Sequence, residues 1–397
     1  MSRPSSSTSN SEAQAPGPPD STAGHLREVL VVGGWMVATL VLIDVTINAL
    51  FPSPRGPIMR APGWPVQYFD YGRSIEGKIR RLIGPADTMT APLAKAGWID
   101  PGPGPESPAQ PGPGHDLLVA VYGMSFSNQV AQAMAMLDPR IDLRLVAGPA
   151  APANHSFAAY LADRDRHEAQ VVILGLLASS VKALASTSGM NWRFEGPAPY
   201  CYPRLIPVGN ELQASWPGPR SLDQFRACLR DPDRWAAFVG QMRRQDEFFD
   251  PLLFEENVLD ASALVRLVRR AWAAQHLRRV ERRFHTSEGF VADSTALSSL
   301  RAIVKQFAAT ARRDGRLPIV LLFNDRGYGD HLDRALRPIL VREDIPFVST
   351  HDICPTSDLS NCVPDGHFTS EANRKIGRAL LDLIVAYASG RPHLQSQ

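Results

Sequence analysis

Hydrophobic positions along the chain follow two periods, and their alternation predicts the fold class. Short continuous apolar runs, typical of buried strands, occupy residues 117–122, 142–146, 170–177, 317–323 and 346–349. Between them apolar residues recur at helical spacing, over residues 127–137, 156–166, 294–313, 330–341 and 370–387. This alternation predicts a three-layer α/β/α domain, in which helices cover both faces of a parallel sheet. We assign it to residues 116–390, with a helical insertion at about 205–290.

The longest apolar stretch lies near the N-terminus and predicts a membrane anchor. Residues 30–51 contain one charged side chain, Asp44, and a helix of that length is about 33 Å long, enough to cross a bilayer. We assign residues 27–51 to a transmembrane helix. A cleaved signal peptide is the alternative, although no Ala-x-Ala site follows. Residues 1–26 are rich in Ser, Pro, Ala and Gly and predict a disordered tail.

Residues 52–115 connect this anchor to the α/β domain. We predict a juxtamembrane segment there, with one helix at 74–83. The sequence PGPGPESPAQPGPG then follows at residues 101–114 and favours neither helix nor sheet. It predicts a semi-stiff linker that marks the domain boundary.

Composition excludes some classes of protein. Apolar residues make up 44% of the chain, which is ample for a hydrophobic core, and a net charge of +2 argues against a nucleic-acid binder. The four cysteines lack a C-x-x-C spacing and the histidines are scattered, so we predict no metal site and no cofactor. Cys354 and Cys362 either form a disulfide in an oxidising compartment or stay free thiols in the cytoplasm.

A serine stands at the junction between the first predicted strand and its helix. In Gly123-Met124-Ser125 the Ser125 hydroxyl is expected at the carboxyl edge of the sheet, where parallel sheets bind ligands. Near the other end of the chain, residues 364–368 read PDGHF and place Asp365 and His367 in one loop. A serine nucleophile needs a base and an orienting carboxylate, so we hypothesise a triad of Ser125, His367 and Asp365. The alternative is a strand-end serine and a turn with an incidental histidine.

The GMSFS and DGH motifs resemble those of the SGNH, or GDSL-type, hydrolase superfamily. Met124 stands where that family usually has Asp, and Asp-x-His replaces Asp-x-x-His, a spacing similar to that of the polysaccharide O-acetyltransferase branch. The resemblance implies a serine esterase or O-acyltransferase that acts on O-acetyl groups of a carbohydrate, with a membrane-embedded acyl donor protein as a possible partner. The alternative is a catalytically inactive SGNH-fold protein that binds glycan or assists polysaccharide assembly.

The resemblance also implies an oxyanion hole. Its first two donors would be the Ser125 amide and the amide of Gly148, which follows the second strand. The third donor is normally an Asn after the third strand, where this chain has GLLAS at residues 175–179. Asn154 or Ser179 could substitute, or either could cap a loop.

The side of the membrane on which the large domain lies has two conflicting indications. Basic residues near the span are Arg3, Arg27, Arg55, Arg60 and Arg73. Their slight excess after the span favours a cytoplasmic C-terminal part. The branch that the chain resembles works outside the cytoplasm, and on that resemblance we place the large domain in the periplasm.

Two further segments carry candidate binding groups. Asp325 follows the strand at 317–323 and is a rival orienting acid, while Arg326 could bind an anionic substrate group; an ion pair between them is the alternative. Residues 191–204 combine aromatic side chains with Pro and Gly. These rings either stack on sugars or pack their own loop.

Residues 261–284 predict an amphipathic helix with many arginines and one acidic residue, Glu281. Its predicted core face carries Leu264, Leu267, Val268, Ala271 and Leu277. Its arginines are then expected in solvent, or against anionic headgroups or anionic glycan near the membrane.

Overall fold

The computed structural model describes residues 21–54, 63–84, 91–100, 107–209 and 211–389. Most of the predicted tail, residues 1–20, therefore lies outside the described residues. Contacts along the backbone divide the chain into two compact units, Met1–Pro52 and Ser53–Gln397.

The described elements are numbered in chain order. The strands are β1 (Leu117–Gly123), β2 (Ile141–Ala147), β3 (Val171–Leu177), β4 (Arg204–Val208), β5 (Glu211–Ser215), β6 (His285–Thr286), β7 (Gly289–Phe290), β8 (Leu317–Phe323) and β9 (Phe347–Ser349). The α-helices are α1 (Ser21–Leu50), α2 (Trp64–Asp70), α3 (Ile75–Ile83), α4 (Pro92–Lys95), α5 (Ser125–Ala135), α6 (Ala153–Asp163), α7 (Leu222–Arg230), α8 (Pro232–Gln245), α9 (Pro251–Phe254), α10 (Ala263–Glu281), α11 (Thr295–Arg313), α12 (His331–Arg342), α13 (Thr350–Ile353) and α14 (Ser370–Ala388). Short 3-10 helices lie at Arg164–Arg166, Ala178–Ala185, Val258–Ala261 and Leu359–Asn361.

The first unit contains the helix α1. Its part His25–Leu50 is 26 residues long and is apolar enough to cross a membrane. Inside it the side-chain amide of Asn48 donates to the Asp44 carboxylate, 3.3 Å away, and to the Asp44 carbonyl at 3.0 Å. The one acidic side chain of the apolar stretch thus has a hydrogen-bond donor one turn further along the helix.

In the second unit five strands form one parallel sheet, in the order β2-β1-β3-β8-β9. The predicted α/β fold with a parallel sheet is confirmed. The chain moves outward from β1 to β2 on one side and from β3 through β8 to β9 on the other. The direction of winding therefore reverses between β1 and β3. At such a switch point the loops separate and leave a crevice at the carboxyl edge, where doubly wound sheets bind ligands.

Side chains of alternate strand residues enter two separate hydrophobic cores. Val119 and Val121 of β1 pack on one face of the sheet, in the core that contains residues of α5 and α14. Leu118, Ala120 and Tyr122 pack on the other face, with α6, α11 and α12. Because successive strand residues point to opposite faces, both faces are covered by helices.

Glycines allow two close approaches beside the carboxyl end of β1. A Cβ on Gly123 or Gly175 would lie 2.3 Å or 2.0 Å from the Ser127 hydroxyl oxygen, so only glycine leaves room there for the first turn of α5. A Cβ on Gly377 would lie 2.8 Å from the Met134 amide, so α14 crosses α5 at backbone contact. These contacts fix the position of the helix that begins at Ser125.

The segment predicted to be juxtamembrane is part of the globular unit. Helix α3 forms as predicted, and its apolar face packs with aromatic residues of α7, α8 and α9: Ile75, Ile79 and Ile83 against Phe225, Trp235, Phe238 and Phe254. The hydrophobic face of α3 explains why this segment packs in the globular unit, because an amphipathic helix is stable when that face is covered.

The predicted linker is also corrected. Its residues 101–106 lie outside the described residues, but residues 107–114 are bonded to the sheet. The Gly112 amide donates to Asp142 at 2.5 Å, and Arg144 donates to the carbonyls of Ser107 and Pro108 at 3.1 and 2.9 Å. A proline-rich segment has few internal hydrogen bonds, so its free backbone groups bind the polar side chains of edge strand β2. Residues 107–114 are therefore bonded to the unit that contains the sheet, and the contact-based division of the chain lies between Pro52 and Ser53.

The insertion between β3 and β8 begins earlier than predicted, directly after Leu177, and contains α7 to α10. It also includes two antiparallel hairpins, β4–β5 and β6–β7. The aromatic loop at 191–204 belongs to it. The rings of this loop are buried in hydrophobic cores shared with other elements. Phe194 packs in the core with α3 and α7, while Trp192, Tyr200 and Tyr202 pack in the core that contains α6 and α11.

Helix α10 forms as predicted, but its most buried positions are not the predicted ones, although Leu277 of the predicted face packs against the hydrophobic cores. Arg266 and Arg269 are each 1% exposed, whereas Val268 is 69% exposed. Each buried arginine has polar partners for part of its guanidinium group. Arg269 pairs with the buried Asp260 carboxylate, and Arg266 donates to the Asp260 carbonyl at 2.8 Å. A buried charge with such partners can replace an apolar side chain in a core, and the sequence pattern does not reveal those partners.

Candidate active site

Ser125 is the first residue of α5 and lies at the end of β1, at the switch point of the sheet. It is exposed, while its neighbours Met124 and Phe126 are buried. Met124 is extended, with φ −138° and ψ −172°, and its sulfur accepts the Ser127 hydroxyl at 3.3 Å. The Met124 amide lies 3.4 Å from the same hydroxyl oxygen. Met124 thus stands at the N-cap of α5, where Ser, Thr, Asp or Asn is usual, and the turn presents Ser125 outward.

His367 is brought to Ser125 by the loop that precedes α14. Its Nε2 lies 2.7 Å from the Ser125 hydroxyl oxygen. The loop is closed by its own backbone: the Val363 amide donates to the His367 carbonyl at 2.8 Å, and the Gly366 amide donates to the Val363 carbonyl at 3.0 Å. Gly366 has φ +92°, a conformation that favours glycine. The Asp-Gly-His motif therefore lies in this tight turn, with Gly366 in the conformation that the turn requires.

An aromatic ring supports the imidazole. Phe126 stacks on His367 with ring centroids 4.6 Å apart and planes inclined by 20°. Sequence reasoning did not assign this role to Phe126. The signal was an aromatic residue directly after the candidate nucleophile, but the partner ring lies far away along the chain. The stack limits rotation of the imidazole away from Ser125.

Asp365 is the acid beside His367. Its Oδ1 lies 3.2 Å from Nδ1 and also accepts the His367 backbone amide at 3.1 Å. These donors, the backbone amide first, lower the pKa of the Asp365 carboxyl. The carboxylate is 69% exposed, so water competes for its oxygens. The three predicted residues thus form one chain of contacts, Ser125–His367–Asp365, with its acid at the surface.

Two of the predicted oxyanion donors are used elsewhere. The Gly148 amide donates to the Gly123 carbonyl at 3.1 Å and continues the pairing of β1 with β2. Asn154 is fully buried, donates to the Pro203 carbonyl at 2.9 Å and accepts the His155 amide at 3.1 Å. The prediction that Gly148 and Asn154 are oxyanion donors is therefore wrong.

The first turn of α5 retains donors beside Ser125. The first N–H groups of a helix have no acceptor within the helix, and together with the helix dipole they favour an anion. The amides of Ser125 and Phe126 belong to this turn. They are the groups that the described residues offer for an oxyanion at the serine.

Asp325 and Arg326 flank the crevice at the end of β8. The Asp325 carboxylate accepts the Ser179 amide at 3.0 Å, and burial raises its pKa. That contact ties β3 to β8, while the acid that contacts His367 is Asp365. Arg326 is exposed, and no ion pair joins it to Asp325.

All four cysteines are free thiols in the structure, including Cys354 and Cys362, which were candidates for a disulfide. Within the described ranges, no three His, Cys, Asp or Glu side chains are grouped closely enough to hold a metal ion. In the tautomer with Nδ1–H toward Asp365, the His367 Nε2 can accept the serine proton.

His155 is a buried histidine next to Gly148. Its burial predicts that acid lowers the stability of the fold. His155 is 2% exposed and its Nε2 lies 2.7 Å from the Gly97 carbonyl. Burial lowers its pKa from 6.5 to about 4, with the Gly97 carbonyl opposing the shift. Below about pH 6.5 the unfolded chain binds a proton that the folded chain does not bind. We expect the free energy of unfolding to fall by on the order of 3 kcal/mol between about pH 6.5 and about pH 4 from this group.

Urea unfolding across this pH range measures the effect. His155→Gln keeps a donor for the Gly97 carbonyl but cannot titrate, so its free energy of unfolding should fall less steeply with acid than that of the wild type. Above about pH 6.5 the two pH dependences should run parallel. Equal slopes below it would contradict the assignment.

Comparison of the chain with family models, with curated proteins and with solved structures finds no match.

Proposed function

We propose that the chain is a serine esterase or O-acyltransferase of the SGNH type, anchored to a membrane by α1. The observation that carries the proposal is the 2.7 Å contact between the Ser125 hydroxyl and His367 Nε2. It lies at the carboxyl edge of the sheet, at the switch point where this class of fold binds ligands. Ser125 and His367 lie near opposite ends of the domain sequence. A catalytic pair of nucleophile and base gives a reason for their contact.

The chemistry follows from these contacts. The Ser125 oxygen attacks the ester carbonyl while His367 takes its proton, and the amides of the first turn of α5 stabilise the oxyanion. The alcohol then leaves with the proton from His367, and the acyl group remains on Ser125. Water or a carbohydrate hydroxyl next gives its proton to His367 and takes the acyl group, and His367 returns the proton to the departing Ser125 oxygen. The resemblance supports an O-acetyl carbohydrate ester as substrate and an extracytoplasmic site.

A second candidate function has support of its own. Gly148 and Asn154 are occupied, and Asp365 is exposed, so the oxyanion site has fewer donors, and the acid is less shielded from water, than the resemblance implies. These features favour a catalytically inactive SGNH-fold protein that binds glycan or assists polysaccharide assembly. The two candidates differ in whether Ser125 is nucleophilic.

Covalent labelling separates them. A fluorophosphonate probe, which reacts only with an activated serine, should label the full-length protein at Ser125. Ser127 offers a matched control, because it is a serine two positions away whose hydroxyl is buried against Met124. Ser125→Ala should lose the label and Ser127→Ala should keep it. Absence of labelling in the wild type, or equal labelling of Ser125→Ala, would favour the inactive protein.

A further inference from the structure

Apolar side chains are exposed on three neighbouring elements of the second unit. They belong to α2, to the 3-10 helix at Val258–Ala261 and to α10, and their exposed fractions are 78% for Trp64, 46% for Tyr68, 88% for Val258, 48% for Leu259 and 69% for Val268. We call these five residues the docking surface. Single exposed apolar residues are common, whereas contiguous ones mark interaction sites. Here α2 and the 3-10 helix, which carry four of the five residues, both contact α10, which carries the fifth.

Buried polar contacts hold these elements together as one body. The Asp260 carboxylate accepts the Ser74 amide at 2.9 Å and pairs with Arg269. A Cβ on Gly72 would lie 1.8 Å from the Arg266 carbonyl oxygen, so the chain after α2 lies directly against the backbone of α10. The docking surface is therefore rigid and its exposure does not result from a loose segment.

The exposed stripe of α10 changes from apolar to cationic along its length. Val268, Ala271 and Gln275 lie on the side that also carries Arg278, Arg279 and Arg282, because these positions recur every three or four residues. These three arginines are exposed, and in the part of the chain that the structure describes none of them has a carboxylate partner. Nineteen residues make α10 about 28 Å long, so the apolar and cationic ends are well separated.

The chain itself indicates which partner this surface meets. Helix α1 ends at Leu50 and α2 begins at Trp64, so the intervening segment reaches at most about 50 Å. Trp and Tyr are enriched at the headgroup level of membranes, and helices that lie in the interface combine an apolar face with arginines. A second copy of the chain would instead bring two sets of these arginines together, and like charges repel each other.

We propose that the docking surface lies on the anionic lipid headgroups of the membrane that α1 enters. The apolar residues of the docking surface enter the boundary between headgroups and acyl chains, and Arg278, Arg279 and Arg282 contact the lipid phosphates. This inference rests on α1 as a membrane anchor and is independent of chemistry at Ser125. With two attachments, the globular unit has less freedom to rotate than a body held by a tether alone.

The test uses full-length protein in vesicles of phosphatidylcholine and phosphatidylglycerol in equal amounts. Val258→Cys and Val268→Cys carry an environment-sensitive fluorophore, and the lipids carry a nitroxide quencher just below the headgroup. Met136→Cys is the matched control, because Met136 is 85% exposed and lies directly after α5. Wild-type protein treated with the same dye gives the background from native thiols. We expect quenching of both docking-surface labels and none at residue 136.

Changes of charge test the cationic part. Replacing Arg278, Arg279 and Arg282 with glutamine should lower the ratio of docked to undocked protein about fivefold for each arginine, since each basic residue near an anionic surface adds about that factor. Wild-type protein in vesicles of phosphatidylcholine alone should show a similarly lowered ratio of docked to undocked protein. Water-like emission from both labels in the anionic vesicles would overturn the proposal, as would equal quenching at residue 136. The labels could also be shielded from water only at high protein density, without quenching by the lipid nitroxide. That result would assign the docking surface to a protein partner and would also overturn the proposal.

Discussion

Replacing Ser125 with alanine is expected to reduce ester cleavage by the full-length protein by a factor on the order of 10⁴ or more. The substitution removes the oxygen that attacks the carbonyl and leaves only binding and oxyanion stabilisation. His367→Ala should cost about as much, because the serine then has no base at 2.7 Å. The measurement is initial rate with a small activated ester, in detergent or vesicles.

Combined variants distinguish a catalytic unit from two independent effects. Ser125→Ala with His367→Ala should be no slower than either single variant, because residues that act as a unit do not have additive effects. Asp365→Asn should lose less activity than either, since its carboxylate is largely in water and competes poorly for Nδ1. Ser127→Ala is the control and should retain most of the rate. Full activity in Ser125→Ala would refute the proposed mechanism.

Asp260→Ala is expected to lower the free energy of unfolding by about 3–5 kcal/mol. The change removes the carboxylate partner of Arg269, which is 1% exposed, and leaves a buried charge without compensation. It also removes the acceptor of the Ser74 amide and hydroxyl. Urea unfolding followed by tryptophan fluorescence measures the loss.

A matched aspartate tests whether burial causes this effect. Asp223 pairs with Arg226 at 3.3 Å but is 90% exposed. Asp223→Ala should change the free energy of unfolding by less than about 1 kcal/mol, because surface ion pairs contribute little. Similar losses in the two variants would show that the Asp260 pair does not stabilise the fold as the structure suggests. The test is independent of the activity proposed for Ser125.

The sequence by itself determined the sheet and the candidate residues at Ser125, His367 and Asp365. The central strands are buried on both faces, so they are continuous apolar runs, and β8 has the predicted bounds, Leu317–Phe323. The helices between them keep the helical period because each covers one face of the sheet. The candidate residues were recognisable because each motif is local: a serine after a strand, and Asp and His in one tight turn around Gly366.

Only the tertiary structure decided which face of α10 is buried and which donors remain near Ser125. Arg266 and Arg269 are tolerated inside because Asp260 and backbone carbonyls meet them from other elements, and no periodicity contains that information. Gly148 and Asn154 lost their predicted roles because the partners of their polar groups, Gly123 and Pro203, are set by strand pairing and loop packing. A hydrogen-bonding group or a charge has its role fixed by the atoms that reach it in space, whereas burial of an apolar run is already evident in one dimension.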